Sequence, residues 1–442
     1  MTSTENTANE NTANENTGNK NTANENTGNG KSTGESNGNG NGTGKAENAF
    51  DPWSQEFVAR PYPAYAKLRE ETPVHWFEPS HQYLISRHED VNALLRDRRL
   101  GRSYLHVATH EQMGRSAPPE YQEPFWTLNN NGMLDREPPD HTRLRRLVSQ
   151  AFTPRRVEAL RPVVQRLAGE LVDAFVRNGG GDLIAEVAEP LPVTVIAELL
   201  GVPEADRHLL RPWSAAICGM YELNPSRETA DSAVRASEEF SEYLRGLARA
   251  RRDDPRDDLV SALAAVEGLS EDELIGTCVL LLNAGHEATV NVTGNGWRAL
   301  LQHPEQLDKI RKDPGLVGTA IEELMRFDTP LQMFERWVLE DIEVRGVRIP
   351  RGSEVALLFG SANHDPAAFA EPEELDVTRR DNPHISFGAG IHYCLGAPLA
   401  RIELTASFEA LLDKAPRLYL VSEPEYKPGY VIRGLRRLEV AT

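Results

Sequence analysis

HISFGAGIHYCLGAPLARIE, residues 384–403, is the stretch on which the reading of this chain turns. Gly388 and Gly390 flank Ala389 just ahead of His392 and Cys394, and a helical pattern starts straight after the cysteine. Glycines permit a tight loop whose backbone N–H groups can come close to a sulfur or a ligand. A cysteine at a helix N-terminus has its thiolate favoured by the dipole. A thiolate held this way suits the single axial position of a haem iron. Zinc competes, but His392 and Cys394 make only two of the four ligands such a site needs, and no CxxC supplies the rest. A structural cysteine in a glycine-rich turn is the plainest alternative.

Outward from this loop, the chain reads as a long helical sequence behind a low-complexity start. It has 442 residues, 39% hydrophobic and 26% charged, with a formal net charge of −19. Such an acidic surface disfavours nucleic acid and anionic lipid as partners. No apolar run approaches the roughly 18–20 residues that span a bilayer, and no signal-peptide pattern opens the chain, so neither a membrane anchor nor export is expected. Cys218, Cys278 and Cys394 are the only cysteines; three make no disulfide framework and point to the cytoplasm. Residues 6–30 are five copies of NT[AG]N[EKG]. With no side chain able to form a core, residues 1–47 are expected to be a disordered tail, and 48–442 a single domain, mainly α with small β-sheets. Amphipathic stretches recur at Arg155–Asn178, Arg235–Arg252 and Leu399–Lys414, whereas strand signals are few: His81–Ser86, and Asp341–Phe359 as a hairpin turning at Arg345–Gly346.

FGAGIHYCLG, Phe387 to Gly396, resembles the cysteine-ligand signature of the cytochrome P450 superfamily, FGxGxHxCxG, at every fixed position. The resemblance runs from about Phe50 to Thr442. It implies a cytochrome P450 fold with haem b held between a long I-helix and the cysteine loop, Cys394 as iron ligand, and Phe387, Gly388 and Gly396 lining the cofactor. EELMRFDTP carries Glu323 and Arg326, three apart on one helix face. They resemble the family's structural ExxR pair, whose third partner is either Arg379 or missing. In DREPPDHTRLRRLVSQAFTPRR, His141 and Arg145 share a helix face. Two propionates need donors when buried, and the resemblance assigns His141, Arg145, Arg336 and His392 to them. Arg143, Arg146, Arg155 and Arg156 form a basic cluster on an acidic protein, either a solvated helix face or a dock for an acidic ferredoxin-type electron donor.

LLLNAGHEATVNVTG, Leu280 to Gly294, breaks an apolar helix with Gly285, His286 and Glu287. Ser270 with Glu273 is a capping box and Pro304 a stop, so the helix is expected from there to about His303. Interior glycines cost about 1 kcal/mol each, and a glutamate there needs a partner or water. The I-helix pattern A-G-x-[DE]-T-[TS] matches at Ala284, Gly285 and Glu287, implying a glycine that leaves room for dioxygen and an acid that organises proton delivery. The threonine position is Ala288, with Thr289 one residue on and so turned about 100° away. Proton delivery then falls to Glu287 with ordered water, or to a hydroxyl on the substrate.

The implied activity is insertion of one oxygen atom from O2 into a mostly apolar small molecule, of secondary-metabolite, terpenoid, steroid or xenobiotic type. Electrons would come from NAD(P)H through a ferredoxin and its reductase, to a monomeric enzyme. Trp126, Met220, Leu331, Met333 and Phe334 are the expected pocket residues. A peroxide-using or non-oxygenating haem-thiolate enzyme is the alternative, and a haem-binding sensor or carrier a lesser one.

Overall fold

The capping box at Ser270 closes on itself. The Ser270 hydroxyl accepts from the Glu273 amide at 3.2 Å, and the Glu273 carboxylate accepts from the Ser270 amide at 3.1 Å. From there one helix runs Glu271–Gln302 and stops before Pro304, a rod of roughly 48 Å. The computed structural model describes residues 50–442; the five pentapeptide copies, and the disorder expected over 1–47, lie outside these residues.

Two apolar cores meet on this long helix. Its first half packs Leu274, Ile275, Val279 and Leu282 among helices Asp140–Ala151, Pro190–Leu200, Leu210–Cys218 and Arg227–Asp253. Its second half packs Val290, Trp297 and Leu300 against helices Val317–Phe327 and Ala397–Lys414 and the chain's last turns. Trp297 stacks on Phe408 at 5.2 Å, fastening the long helix to the helix that follows Cys394. Residues 283–289 fall between the two cores, where the helix meets a cavity instead of packing all round.

Sheets are small, with strands of five, three and two. The expected hairpin divides. Ile342–Val344 and Val347–Ile349 pair around Arg345 and Gly346, both at positive φ (49° and 79°), as a type I′ turn requires. Glu354–Leu358 instead enters the five-stranded sheet, between Gln82–Ile85 and Met333–Val338. The unbroken apolar run Val355–Leu358, fully buried, is the pattern of a central strand covered on both faces. The helix expected over Arg155–Asn178 is two, Pro154–Ala159 and Arg161–Arg177; Pro162, whose nitrogen carries no hydrogen, starts the second. Ala397–Lys414 is buried around most of its circumference rather than on one face.

The first described segment and the last one meet in the second core. Arg433, 1% exposed, pairs with Asp328 and donates to the carbonyls of Val58 and Ala59. No helix among the described residues is long and apolar enough to cross a membrane.

Candidate active site

Gly388 and Gly390 both sit at φ +68°, a conformation that costs other residues strain. They fold the loop so that the Cys394 amide donates to the Phe387 carbonyl at 3.0 Å. The sulfur then receives the amides of Gly396 and Ala397 at the start of the next helix. Burial still pushes the Cys394 thiol up, with those amides, Arg145 and Arg401 pulling against it. The helix dipole expected to favour the thiolate therefore does not outweigh burial alone. A cation on the sulfur would complete the balance, since metal binding displaces the proton.

Cys394 faces a cavity of about 860 Å3. Beside it stand polar groups without a hydrogen-bond partner: Arg336 Nη2, His392 Nε2, whose nearest acid is Glu137 at 3.7 Å, and both ring nitrogens of His141. The His141 and His392 rings lie 4.5 Å apart. Burial, then the neighbouring Arg102, pushes the Arg336 guanidinium down to about 9. Burial, then the charge of His392, takes His141 down to about 4. Buried polar groups are rarely left unpaired, and a guanidinium beside two imidazoles, each able to donate one N–H, suits an anion. The two propionates of a haem whose iron sits on Cys394 meet that demand. Arg145 lines the cavity as well, and its terminal nitrogens donate to the carbonyls of Ile391 and Tyr393 at 2.9 and 2.6 Å, bracing the cysteine loop.

The ExxR pair is completely buried. Arg326 makes two 2.8 Å bonds to Glu323 and donates to the carbonyls of Asn363, Pro372 and Glu374. Arg379 reaches Glu323 at 3.0 Å, so it is the third partner. The direct tie to the cysteine segment runs through a residue that sequence reasoning missed. Glu322 takes two bonds from Arg401 at 2.6 and 2.8 Å and one from His384 at 3.0 Å. Burial opposes them, yet these partners hold its carboxyl down to about 2. The doubled glutamate in EELMR was its only signal.

Across the cavity the long helix presents Ala284 and Ala288 as exposed faces, with Glu287 beside them. Glu287 finds Lys427 at 3.6 Å. His286 turns away, buried against Ser214 of helix Leu210–Cys218 at 3.5 Å. Gly285 allows close packing, since a Cβ there would stand 3.1 Å from Ile196. Thr289 is 4% exposed and points its hydroxyl at Glu403, 3.5 Å away on the helix after Cys394. Glu403 was also missed. Its Oε1 is unpaired, and burial pushes its pKa up to about 8. Trp126, Met220, Leu331, Met333 and Phe334 all line the same cavity, as do Phe387, Gly388 and Gly396. Of the basic cluster, Arg143 is tied to Glu273 and Asp140, and Arg156 to Asp257 at 3.6 Å. Arg146 and Arg155 are exposed and without acidic partners among the described residues.

A cysteine held in a glycine loop by helix N-terminal amides, under a cavity rimmed by Arg336 and His392 and facing a helix opened by small residues, defines a haem-thiolate protein. The chain belongs to the cytochrome P450 family, whose model matches residues 222–414. It is 40% identical to the polyketide biosynthesis cytochrome P450 PksS of Bacillus subtilis (strain 168) over 406 residues, 89% of this chain and 98% of that protein. It is 39% identical to the cytochrome P450 monooxygenase PikC of Streptomyces venezuelae, covering 87% of this chain and 92% of that one. Among solved structures it resembles P450BioI in complex with a fatty-acid-loaded acyl carrier protein, with a TM-score of 0.83 and 37% identity over 88% of this chain and all of that one. The fold is thus the cytochrome P450 fold, and the protein a P450 monooxygenase with haem b as cofactor.

Proposed function

We propose that Cys394 ligates the haem iron, that His141, Arg145, Arg336 and His392 hold the propionates, and that the enzyme oxygenates a largely apolar secondary-metabolite-type molecule in the cavity above. The observation that carries this reading is the unpartnered Arg336 Nη2 and His392 Nε2 on the cavity that Cys394 faces, with the unpartnered His141 ring 4.5 Å behind that of His392. When bound, haem supplies the dioxygen-binding iron and the oxidising chemistry, which belong to the cofactor. The chain's own contribution is the sulfur, a cavity wall shaped by Trp126, Met220, Leu331, Met333 and Phe334, and a proton route. Ala284 and Ala288 leave space on the oxygen side; Glu287, held by Lys427, is the group placed to relay protons there through water. Thr289 serves Glu403 and not the oxygen side. Substrate type is supported by relatives named for polyketide biosynthesis and as a 6-deoxyerythronolide B hydroxylase.

Electrons are assigned to a ferredoxin and its reductase. Arg146 follows Arg145, which holds the carbonyls of the exposed Ile391 and Tyr393, and Arg155 is exposed on the next helix, Pro154–Ala159. An acidic donor docks best there, with Arg143 and Arg156 partly neutralised by their own acids.

Because Ala288 faces the cavity, peroxide use is the second reading. Turnover under labelled dioxygen separates the two. The expected result is one labelled oxygen atom per product, with NAD(P)H oxidised through ferredoxin, and a higher product-to-NAD(P)H ratio in Ala288→Thr. Product formed with peroxide at an equal rate, without label from dioxygen, contradicts the monooxygenase route.

A further inference from the structure

Asn283 lies on the cavity face of the long helix, one turn before Glu287, and is 3% exposed. Both Oδ1 and Nδ2 are buried without a partner. Its neighbours are polar as well. The Tyr221 hydroxyl stands next to the Asn283 amide without closing a well-formed hydrogen bond to it, and it reaches Asn129 Oδ1 only at a long 3.3 Å. Asn129 belongs to helix Glu123–Asn131 and spends its own amide on the Phe125 carbonyl at 2.8 Å. Three separate elements thus bring an amide, a hydroxyl and a carbonyl oxygen together on the cavity wall, near the apolar Met220, Leu280 and Trp126.

Tyr221 is held there firmly. The next residue, Glu222, accepts from the backbone amides of Tyr430, Val431 and Ile432 at 2.8, 3.0 and 3.0 Å. That carboxylate pins the turn after helix Leu210–Cys218 to the chain's last segment, so the Tyr221 hydroxyl is presented to the cavity by a fixed anchor.

We infer that Asn283, with Tyr221 and Asn129, forms a recognition site for a neutral oxygen function, a hydroxyl or a ketone or ester carbonyl, on the substrate. The chemistry selects this class. Asn283 offers both a donor and an acceptor and Tyr221 a hydroxyl, which match a neutral oxygen. Among the described residues the cations of this cavity are engaged: Arg102 pairs with Asp135 at 3.0 Å and Lys427 with Glu287, Arg145 bonds the carbonyls of Ile391 and Tyr393, and Arg336 is assigned to the propionates, so this inference rests on the proposed haem seating. A pure hydrocarbon would leave the Asn283 amide buried and unpaired, which costs about 1–3 kcal/mol. The substrate is therefore an oxygenated, mostly apolar molecule, anchored by its oxygen about one helical turn from Glu287.

The test uses the haem-loaded enzyme and four twelve-carbon probes: cyclododecane, cyclododecanol, cyclododecanone and dodecanoic acid. Dissociation constants come from the Soret shift, in wild type and in Asn283→Leu. The expected result is an oxygenated-to-hydrocarbon affinity ratio that falls about tenfold in Asn283→Leu, the equivalent of one hydrogen bond, with cyclododecane affinity not reduced and dodecanoic acid weaker than the ketone throughout. A ratio unchanged by the substitution, or no binding of either oxygenated ring to wild type, overturns the inference. Should Asn283→Leu fail to hold haem, Tyr221→Phe and Asn129→Ala decide by the same ratio. The readout is binding alone, so failure of the proposed activity would show as absent product with the ratio intact.

Discussion

Glu403 shows how much one buried side chain carries that its sequence context conceals. In LARIE it reads as an ordinary charged position on a helix; only the fold puts it under the long helix, facing Thr289 with one oxygen unpaired. Its folded carboxyl titrates near 8, against roughly 4.3 for an unfolded glutamate. Between those values the folded state keeps a proton that the unfolded state has lost. The protonated acid's contribution is therefore full below about pH 4 and is lost as pH rises through 8. Glu403→Gln removes the titration, so its melting temperature should match wild type near pH 4 and exceed it increasingly toward pH 8. Thermal unfolding at three pH values checks this, and a gap independent of pH would contradict it. The displaced threonine was legible as a gap in the pattern at Ala288, and the turn of one residue put Thr289 away from the oxygen side. What it turns toward was not legible, because Glu403 lies 114 positions further along the chain.

Elements were readable where their signals were local. The capping box, Pro304 and the Arg345–Gly346 turn set boundaries through neighbouring residues, and the structure places them there. The strand Glu354–Leu358 was folded into a hairpin because a continuous apolar run does not announce which sheet it will join. The brace around the cysteine loop was half legible: Glu323 and Arg326 share a helix face, but the choice of Arg379 and the separate tie from Glu322 to Arg401 depend on contacts between distant segments. Removing one partner of a fully buried ion pair typically costs about 3–5 kcal/mol. Glu323→Gln leaves Arg326 and Arg379 without their anion and should lose stability on that scale in urea unfolding, with haem retained poorly. Glu322→Gln, nearer the surface, should lose less. Equal losses for the two would mean that the buried pair has no special weight.

At the scale of the molecule, the two cores and the cysteine helix hold a long rod whose middle is left unpacked for a purpose. Gly285, His286 and Glu287 fit that gap: one allows close packing, one seals the wall, one faces the cavity with a lysine beside it. The acidic surface was visible in composition, but which arginines remain free was not, since Arg143 and Arg156 find acids far along the chain. Arg146→Glu with Arg155→Glu should slow reduction by a reduced ferredoxin at low salt and flatten its salt dependence, the rates converging at high salt; unchanged rates would move the docking site elsewhere. The central claim is that Cys394 is the iron ligand, and the carbon monoxide difference spectrum of the reduced protein tests it most directly. Wild type should show the thiolate-ligated band and Cys394→Ser should lack it, whereas survival of that band in Cys394→Ser would contradict the account.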